Sequence, residues 1–194
     1  MQLSRQELIN ELVEICNQAT ATVLVFKSLT LDQLNFRKSV HDWSILECIE
    51  HLNLYGDFYL PEIESSLMLQ PQAPNARLYK PGIIGNYFAR LMKVNNGKVK
   101  KLKSPKDKNP IHSELTITTL DRFIKQQDLL IHLLFKALKA DLTKTKTAIS
   151  LTKMIRLRLG DTLRFYVYHI ERHIKQASAI EIHLKNIVSD RKAA

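Results

Sequence analysis

The sequence predicts an all-α fold, a four-helix bundle with a long basic connection between its second and third helices. Three observations predict it. Four segments carry apolar residues at 3.6-residue spacing, no stretch reads as a convincing strand, and five of the six prolines fall in one stretch, residues 71–112. At 194 residues the whole chain is expected to form a single domain with a sizeable core.

The first helix is expected from Arg5 to about Lys27. Ser4-x-x-Glu7 has the capping-box pattern, and Leu8, Leu12, Ile15, Cys16, Ala19, Val23 and Phe26 share a face. A short helical turn over Leu29–Leu34 and a connector, Asn35–Asp42, follow. The second helix opens at another capping box, Ser44-x-x-Glu47, and reaches about Leu69, with Pro61 as a candidate kink. Trp43 and Cys48 flank that cap in the spacing of a hydrophobic staple.

Residues 71–112 are expected to be irregular, with one amphipathic piece near Ile84–Val94. The third helix is expected from Ser113 to Lys139, carrying Leu120, Phe123, Ile124, Gln127, Leu130, Ile131, Leu134 and Leu138. Asp141–Leu159 reads as less regular, with a short helix around Leu151–Leu157. The fourth helix is expected from near Asp161, with Gly160 just outside, to about Lys185.

Composition narrows the function classes. Hydrophobic residues make up 45% and charged residues 25%, ordinary values for a globular protein. No apolar run approaches the ~18 residues of a membrane span, and the N-terminus lacks the plan of a secretion signal. No membrane partner and a cytoplasmic location are therefore expected. Cys16 and Cys48 lie inside helical patterns and read as reduced core thiols. The net charge is +10, but residues 71–112 hold ten Lys/Arg against one acid, Asp107. The excess belongs to a connection, which favours a solvated loop over a phosphate-binding arm. Lys93–Lys108 also lacks the interleaved aromatics of a single-strand binder, so no specific nucleic-acid partner is expected.

The residues that carry chemistry are histidines. His169 and His173 are four apart on the last helix, the spacing that presents two imidazoles to one ion. His51 sits on the second helix, on a face with Glu47, Cys48, Leu54, Tyr55 and Phe58. The His169/His173 face also holds Thr162, Phe165, Tyr166, Gln176 and Ile180. Both faces border the core, where an unpaired imidazole is costly. Metal ligation and satisfied core histidines answer that cost equally well from the residues alone. Three neutral ligands would leave coordination positions open, as catalysis requires.

Tyr55, Phe58 and Tyr166 are the residues expected to line such a site, and Gln176 to hydrogen-bond a ligand histidine from outside. Glu47 reads as a cap before a catalytic carboxylate, and Cys48 as a core residue before a fourth ligand. Arg172 is expected to pair with an acid on a neighbouring helix, with anion binding second. His41, His112, His132 and His183 default to structure or solvent. No residue stands out as a general base, so the catalytic group is unknown.

Leu29-Thr30-Leu31-Asp32-Gln33-Leu34-Asn35, Trp43-Ser44-Ile45-Leu46-Glu47-Cys48-Ile49-Glu50-His51-Leu52 and His169-Ile170-Glu171-Arg172-His173-Ile174-Lys175-Gln176 together resemble the DinB-like superfamily (DinB/YfiT type). The resemblance is collinear over about residues 5–185. It implies an up-down-down-up bundle whose metal ligands fall on His51, His169 and His173, and a divalent ion, zinc or nickel. It also implies a metal-dependent transferase using a low-molecular-weight thiol such as bacillithiol or mycothiol, or a metal-dependent hydrolase, acting on a small molecule. A non-enzymatic bundle with structural histidines is the alternative, and nucleic-acid binding through the basic loop a third. The long basic connection departs from the shortest pattern of the family, so substrate does not carry over, and a homodimer is left open.

Overall fold

Ser4 accepts a hydrogen bond from the Glu7 backbone N–H at 3.3 Å and starts α1 (Arg5–Phe26), so one orphan donor of the first turn is satisfied. The computed structural model describes residues 2–69, 73, 75, 77–94, 104–150 and 152–193. Among them follow α2 (Leu31–Asn35), α3 (Ile45–Leu69), α4 (Ile83–Met92), α5 (Thr118–Ala137) and α6 (Leu159–Ala193). Two short antiparallel pairs complete the element list: β1 (Leu3–Ser4) with β2 (Leu78–Tyr79), and β3 (Lys146–Ile149) with β4 (Thr152–Arg158). The protein is thus mostly helical. No helix among the described residues is long and apolar enough to cross a membrane.

The apolar stripes read from the sequence form the core. Ile9, Leu12, Cys16 and Val23 of α1 are fully buried, as are Ile45, Cys48 and Ile49 of α3, Leu120, Leu130 and Leu134 of α5, and Leu163, Val167 and Ile170 of α6. Each large aliphatic side chain buried this way contributes about 1.5–3 kcal/mol. α1 packs against α5 and α6, and α3 packs against the same two helices. Lys27 at the end of α1 meets Asp121 at the start of α5 at 2.7 Å, and Arg5 at the start of α1 donates to the Ala140 carbonyl beyond the end of α5 at 3.0 Å. Arg122 of α5 is held by Glu50 and Asp57 of α3. The Tyr59 ring of α3 packs on Phe165 and Tyr166 of α6. α3 runs through Pro61 to Leu69.

Three expectations need correction. No strand was expected, and the segment around Leu151–Leu157 was expected to be a helix. Instead Thr145, Thr147 and Ile149 are buried at alternate positions, and Lys146–Ile149 pairs with Thr152–Arg158. Period-two burial of β-branched residues is a strand signal, and the short run hid it; Leu151 itself lies outside the described residues. Secondly, α6 starts at Leu159, so Gly160 is inside it, and the helix runs on to Ala193. A Cβ at Gly160 would stand 2.5 Å from the Tyr79 ring. Glycine therefore lets β2 approach the first turn of α6, where the Tyr79 hydroxyl and the Gly82 N–H both donate to Asp161. Thirdly, α5 starts at Thr118, five residues later than expected. His112, just upstream of the expected start, holds a positive φ of 63°.

Candidate metal centre

α3 and α6 bring His51, His169 and His173 together. One ring nitrogen from each lies within 4.8 Å of the others, and His51 Nε2 stands 3.2 Å from His169 Nε2. Two nitrogens on a tetrahedral ion with bonds of about 2.0–2.1 Å lie roughly 3.3 Å apart, so this pair is already at ligand separation. His51 and His169 are 2% and 4% exposed, and His173 is half-buried beside them.

Burial also sets their charge. It pushes the His51 imidazole down to about 4, against an opposing hydrogen bond to the Lys108 carbonyl; the Lys108 charge adds to the lowering. Burial, then the other two rings, then the Arg172 charge hold His169 well below the ordinary histidine range. His173 is lowered by burial, His51 and Arg172, with Gln176 partly opposing. The three rings are therefore neutral at physiological pH, the state in which imidazole binds metal.

The outer nitrogens are tied. His51 Nδ1 donates to the Lys108 carbonyl at 2.5 Å, and His173 Nδ1 donates to Gln176 Oε1 at 3.0 Å. Carbonyl and amide oxygens only accept, so in neutral rings these protons sit on Nδ1 and each Nε2 carries a lone pair. His169 Nδ1 is buried and has no hydrogen-bond partner among the described residues. This donor set of neutral, pre-oriented nitrogens with one orphan fits a divalent transition metal.

Aromatic rings wall the cluster. Trp43 lies 4.7 Å from His51 and 5.6 Å from His173, centroid to centroid. Tyr55 lies 4.9 Å from His51 and 4.4 Å from His169, and Phe165 stacks on His169 at 6.0 Å. Of the three expected lining residues, Tyr55 borders the imidazoles directly. Phe58 and Tyr166 pack instead on Tyr59, at 5.0 and 5.3 Å. Burial pushes the Tyr55 hydroxyl up to about 12, so it stays protonated at neutral pH. Cys48 is buried, its thiol pushed up chiefly by burial, and is not in the nitrogen cluster.

Glu47 is a structural lock, as its capping position suggested. It accepts the Ser44 N–H at 2.7 Å, while Ser44 Oγ accepts the Glu47 N–H at 3.2 Å. Its carboxylate also takes a two-pronged contact from Arg37 at 2.7 and 2.9 Å and the His112 N–H at 2.5 Å. Burial alone would raise its pKa, but these donors outweigh burial and hold it below the usual carboxylate value.

The end of the basic connection departs from the solvated loop expected of it. Lys106–Lys108 form a 3-10 turn, Lys108 Nζ donates to the Leu54 carbonyl at 3.0 Å, and Asn109 Oδ1 accepts the Trp43 indole N–H at 3.0 Å. This strap lies on α3 and supplies the carbonyl that orients His51. A charge count sees only lysine head groups, whereas the site uses a lysine backbone; nothing in the sequence marked it. Trp43 was marked only as a staple residue, and Phe165 only as a member of the His169 face. Residues 95–103, the middle of the basic segment, lie outside the described residues.

Arg172 also departs from expectation. It is 5% exposed and forms no ion pair among the described residues. The adjacent Glu171 pairs with Lys175 at 2.6 Å, and Glu11, which Tyr168 of the same helix contacts, pairs with Lys93 at 2.8 Å.

A model of the DinB superfamily matches residues 15–177, a span that includes Trp43, Glu47, the three histidines and Gln176. No curated protein and no solved structure matches the chain. On the family match, which covers most of its length, the chain belongs to the DinB superfamily.

Proposed function

We propose that this protein binds one divalent metal ion through His51, His169 and His173 and acts as a metal-dependent transferase using a low-molecular-weight thiol. The single observation that carries this reading is the convergence of three neutral imidazoles, two of them oriented by acceptors at Nδ1. An ion with three neutral ligands keeps open positions and, when bound, would supply the Lewis acidity that holds a thiol as thiolate or lowers the pKa of water. The chain's own part is positional. Lys108 and Gln176 fix the ring orientations, while Trp43, Tyr55 and Phe165 exclude water and strengthen electrostatic interactions inside the site.

Hydrolysis is the second reading, favoured by the same open positions and by the absence of a thiol-specific contact among the described residues. We read zinc or nickel as the ion, because imidazole suits both. We read the architecture as one up-down-down-up domain. The Lys27–Asp121 and Arg5–Ala140 contacts support opposed α1 and α5, and the Glu50–Arg122 and His51–His169 contacts support α3 parallel to α5 and opposed to α6. A cytoplasmic setting and no specific nucleic-acid partner complete the proposal.

Elemental analysis of protein purified without a nickel column tests it, followed by a cobalt-exchanged spectrum with and without a small thiol. One equivalent of metal and a thiolate charge-transfer band are expected. Metal-free protein that takes up no zinc, nickel or cobalt would remove the reading.

A further inference from the structure

Arg172 is a largely buried residue whose charge has no counter-ion among the described residues. It precedes His173 by one residue and follows His169 by three, so it shares a helix face with His169. The residue as a whole is 5% exposed, and its guanidinium makes no hydrogen bond or ion pair among the described residues, although its nitrogens are not sealed from solvent. Glu171, Glu181 and Glu11 are each held by a lysine. Asp190 is the one acid whose side chain lies outside the described residues.

A buried, unpaired charge is strongly unfavourable, and a guanidinium fork is shaped for a planar oxyanion. The charge balance of the neighbouring site points the same way. The three imidazoles are neutral, and the buried carboxylate of α3, Glu47, is already matched by Arg37. Nothing hydrogen-bonded to the imidazoles offsets a dication, and Arg172 adds a further positive charge beside it.

We propose that the ligand of this site carries an oxyanion group, a carboxylate or phosphate, that pairs with Arg172 while a second anionic end faces the histidine cluster. The role of the second end rests on the metal-thiol reading above; the pairing with Arg172 does not.

The two parts are tested separately. Metal-free full-length protein is melted in chloride, acetate and phosphate at equal ionic strength. The wild type should gain several degrees in acetate or phosphate. Arg172→Met should melt higher than wild type in chloride, because the unpaired charge is gone, and should lose the oxyanion-specific gain. Arg172→Lys should fold and keep a weakened gain. A Met variant less stable than wild type in chloride, or an oxyanion response unchanged in both variants, would overturn the proposal. A larger gain in acetate identifies the carboxylate source, and in phosphate the phosphate source.

Cobalt-loaded protein is then titrated with 3-mercaptopropionate and with 2-mercaptoethanol, read by the thiolate charge-transfer band. The wild type should prefer the carboxylate thiol about tenfold, and Arg172→Met should bind both equally. If neither thiol changes the spectrum while the oxyanion response depends on Arg172, the thiol reading fails and the Arg172–oxyanion pairing stands. If both thiols bind without preference, the two-ended ligand is overturned and the thiol reading stands.

Discussion

His51 and His169 meet Nε2 to Nε2 at 3.2 Å, and the far nitrogen of His51 decides which ring carries the proton between them. Because the Lys108 carbonyl only accepts, His51 keeps its proton on Nδ1 and presents a bare Nε2. A neutral His169 must then donate from Nε2, which leaves its buried Nδ1 as an acceptor without a donor. Moving that proton to Nδ1 would aim both Nε2 lone pairs at one point. That tautomer is the one in which both rings can ligate a cation.

Removal of one ring should accordingly abolish metal binding. His51→Ala and His173→Ala are expected to lose stoichiometric zinc or nickel by isothermal titration. His183→Ala, whose ring packs on Phe36 at 6.0 Å, should bind as the wild type does. Retained tight binding in either site variant would reject the ligand assignment.

The depressed imidazole pKa values fix the sign of a pH dependence. Unfolded histidines titrate near about 6.5, whereas burial takes folded His51 down to about 4 and the other two well below their ordinary value. The unfolded state therefore binds more protons in this window. The histidine contribution to stability is fully present above about 6.5 and is lost as pH falls towards about 4. Urea unfolding of metal-free protein at pH 7, 5.5 and 4.5 should show the fall, and His169→Asn should flatten it.

Gln176 is three residues beyond His173 and accepts its Nδ1 proton at 3.0 Å. Gln176→Leu removes that acceptor without removing a ligand. Loss of such an outer partner typically weakens metal affinity by about 10–100-fold, and that reduction is expected here with the fold intact by circular dichroism. Unchanged affinity would show that the ring needs no such restraint.

The helices and the histidine cluster were legible because periodicity and i, i+4 spacing are local. His51 could be matched to the distant pair because its face, with Tyr55 one turn away, reads as core. What was illegible depends on contacts between distant segments. Lys108 reaches His51 through its backbone, and a carbonyl leaves no trace in the identity of a residue. Gly160 reads as lying just outside the start of the fourth helix, and only the Tyr79 ring beside it explains why a glycine stands inside the first turn. The β3–β4 hairpin was missed because its alternation, Thr145-Thr147-Ile149, is only three positions long.

Glu47 tests how far the cap at the start of α3 supports the site two turns later. Its carboxylate is fully buried and satisfies Arg37, the Ser44 N–H and the His112 N–H together. Breaking a buried pair costs about 3–5 kcal/mol, and the partial exposure of Arg37 reduces this to about 2–3 kcal/mol. Glu47→Gln should therefore lower stability by about 2–3 kcal/mol in urea unfolding. A loss under about 0.5 kcal/mol, the scale of an ordinary surface substitution, would show the lock to be incidental.

The strap can be loosened at a side chain even though its functional atom is backbone. Asn109 Oδ1 accepts the Trp43 indole N–H at 3.0 Å and also the Ile111 N–H at 3.3 Å, so it joins the turn carrying the Lys108 carbonyl to the ring over His51 and His173. Asn109→Ala deletes both bonds and leaves every proposed ligand in place. The indole should then become more mobile, seen as a red shift of the single tryptophan's emission. Metal affinity should fall by about tenfold, the lower end of the range for outer-shell partners. A red shift with unaltered affinity would mean that Trp43 covers the cluster without helping to organise it. A loss of affinity without the shift would place the effect on the Lys108 carbonyl alone.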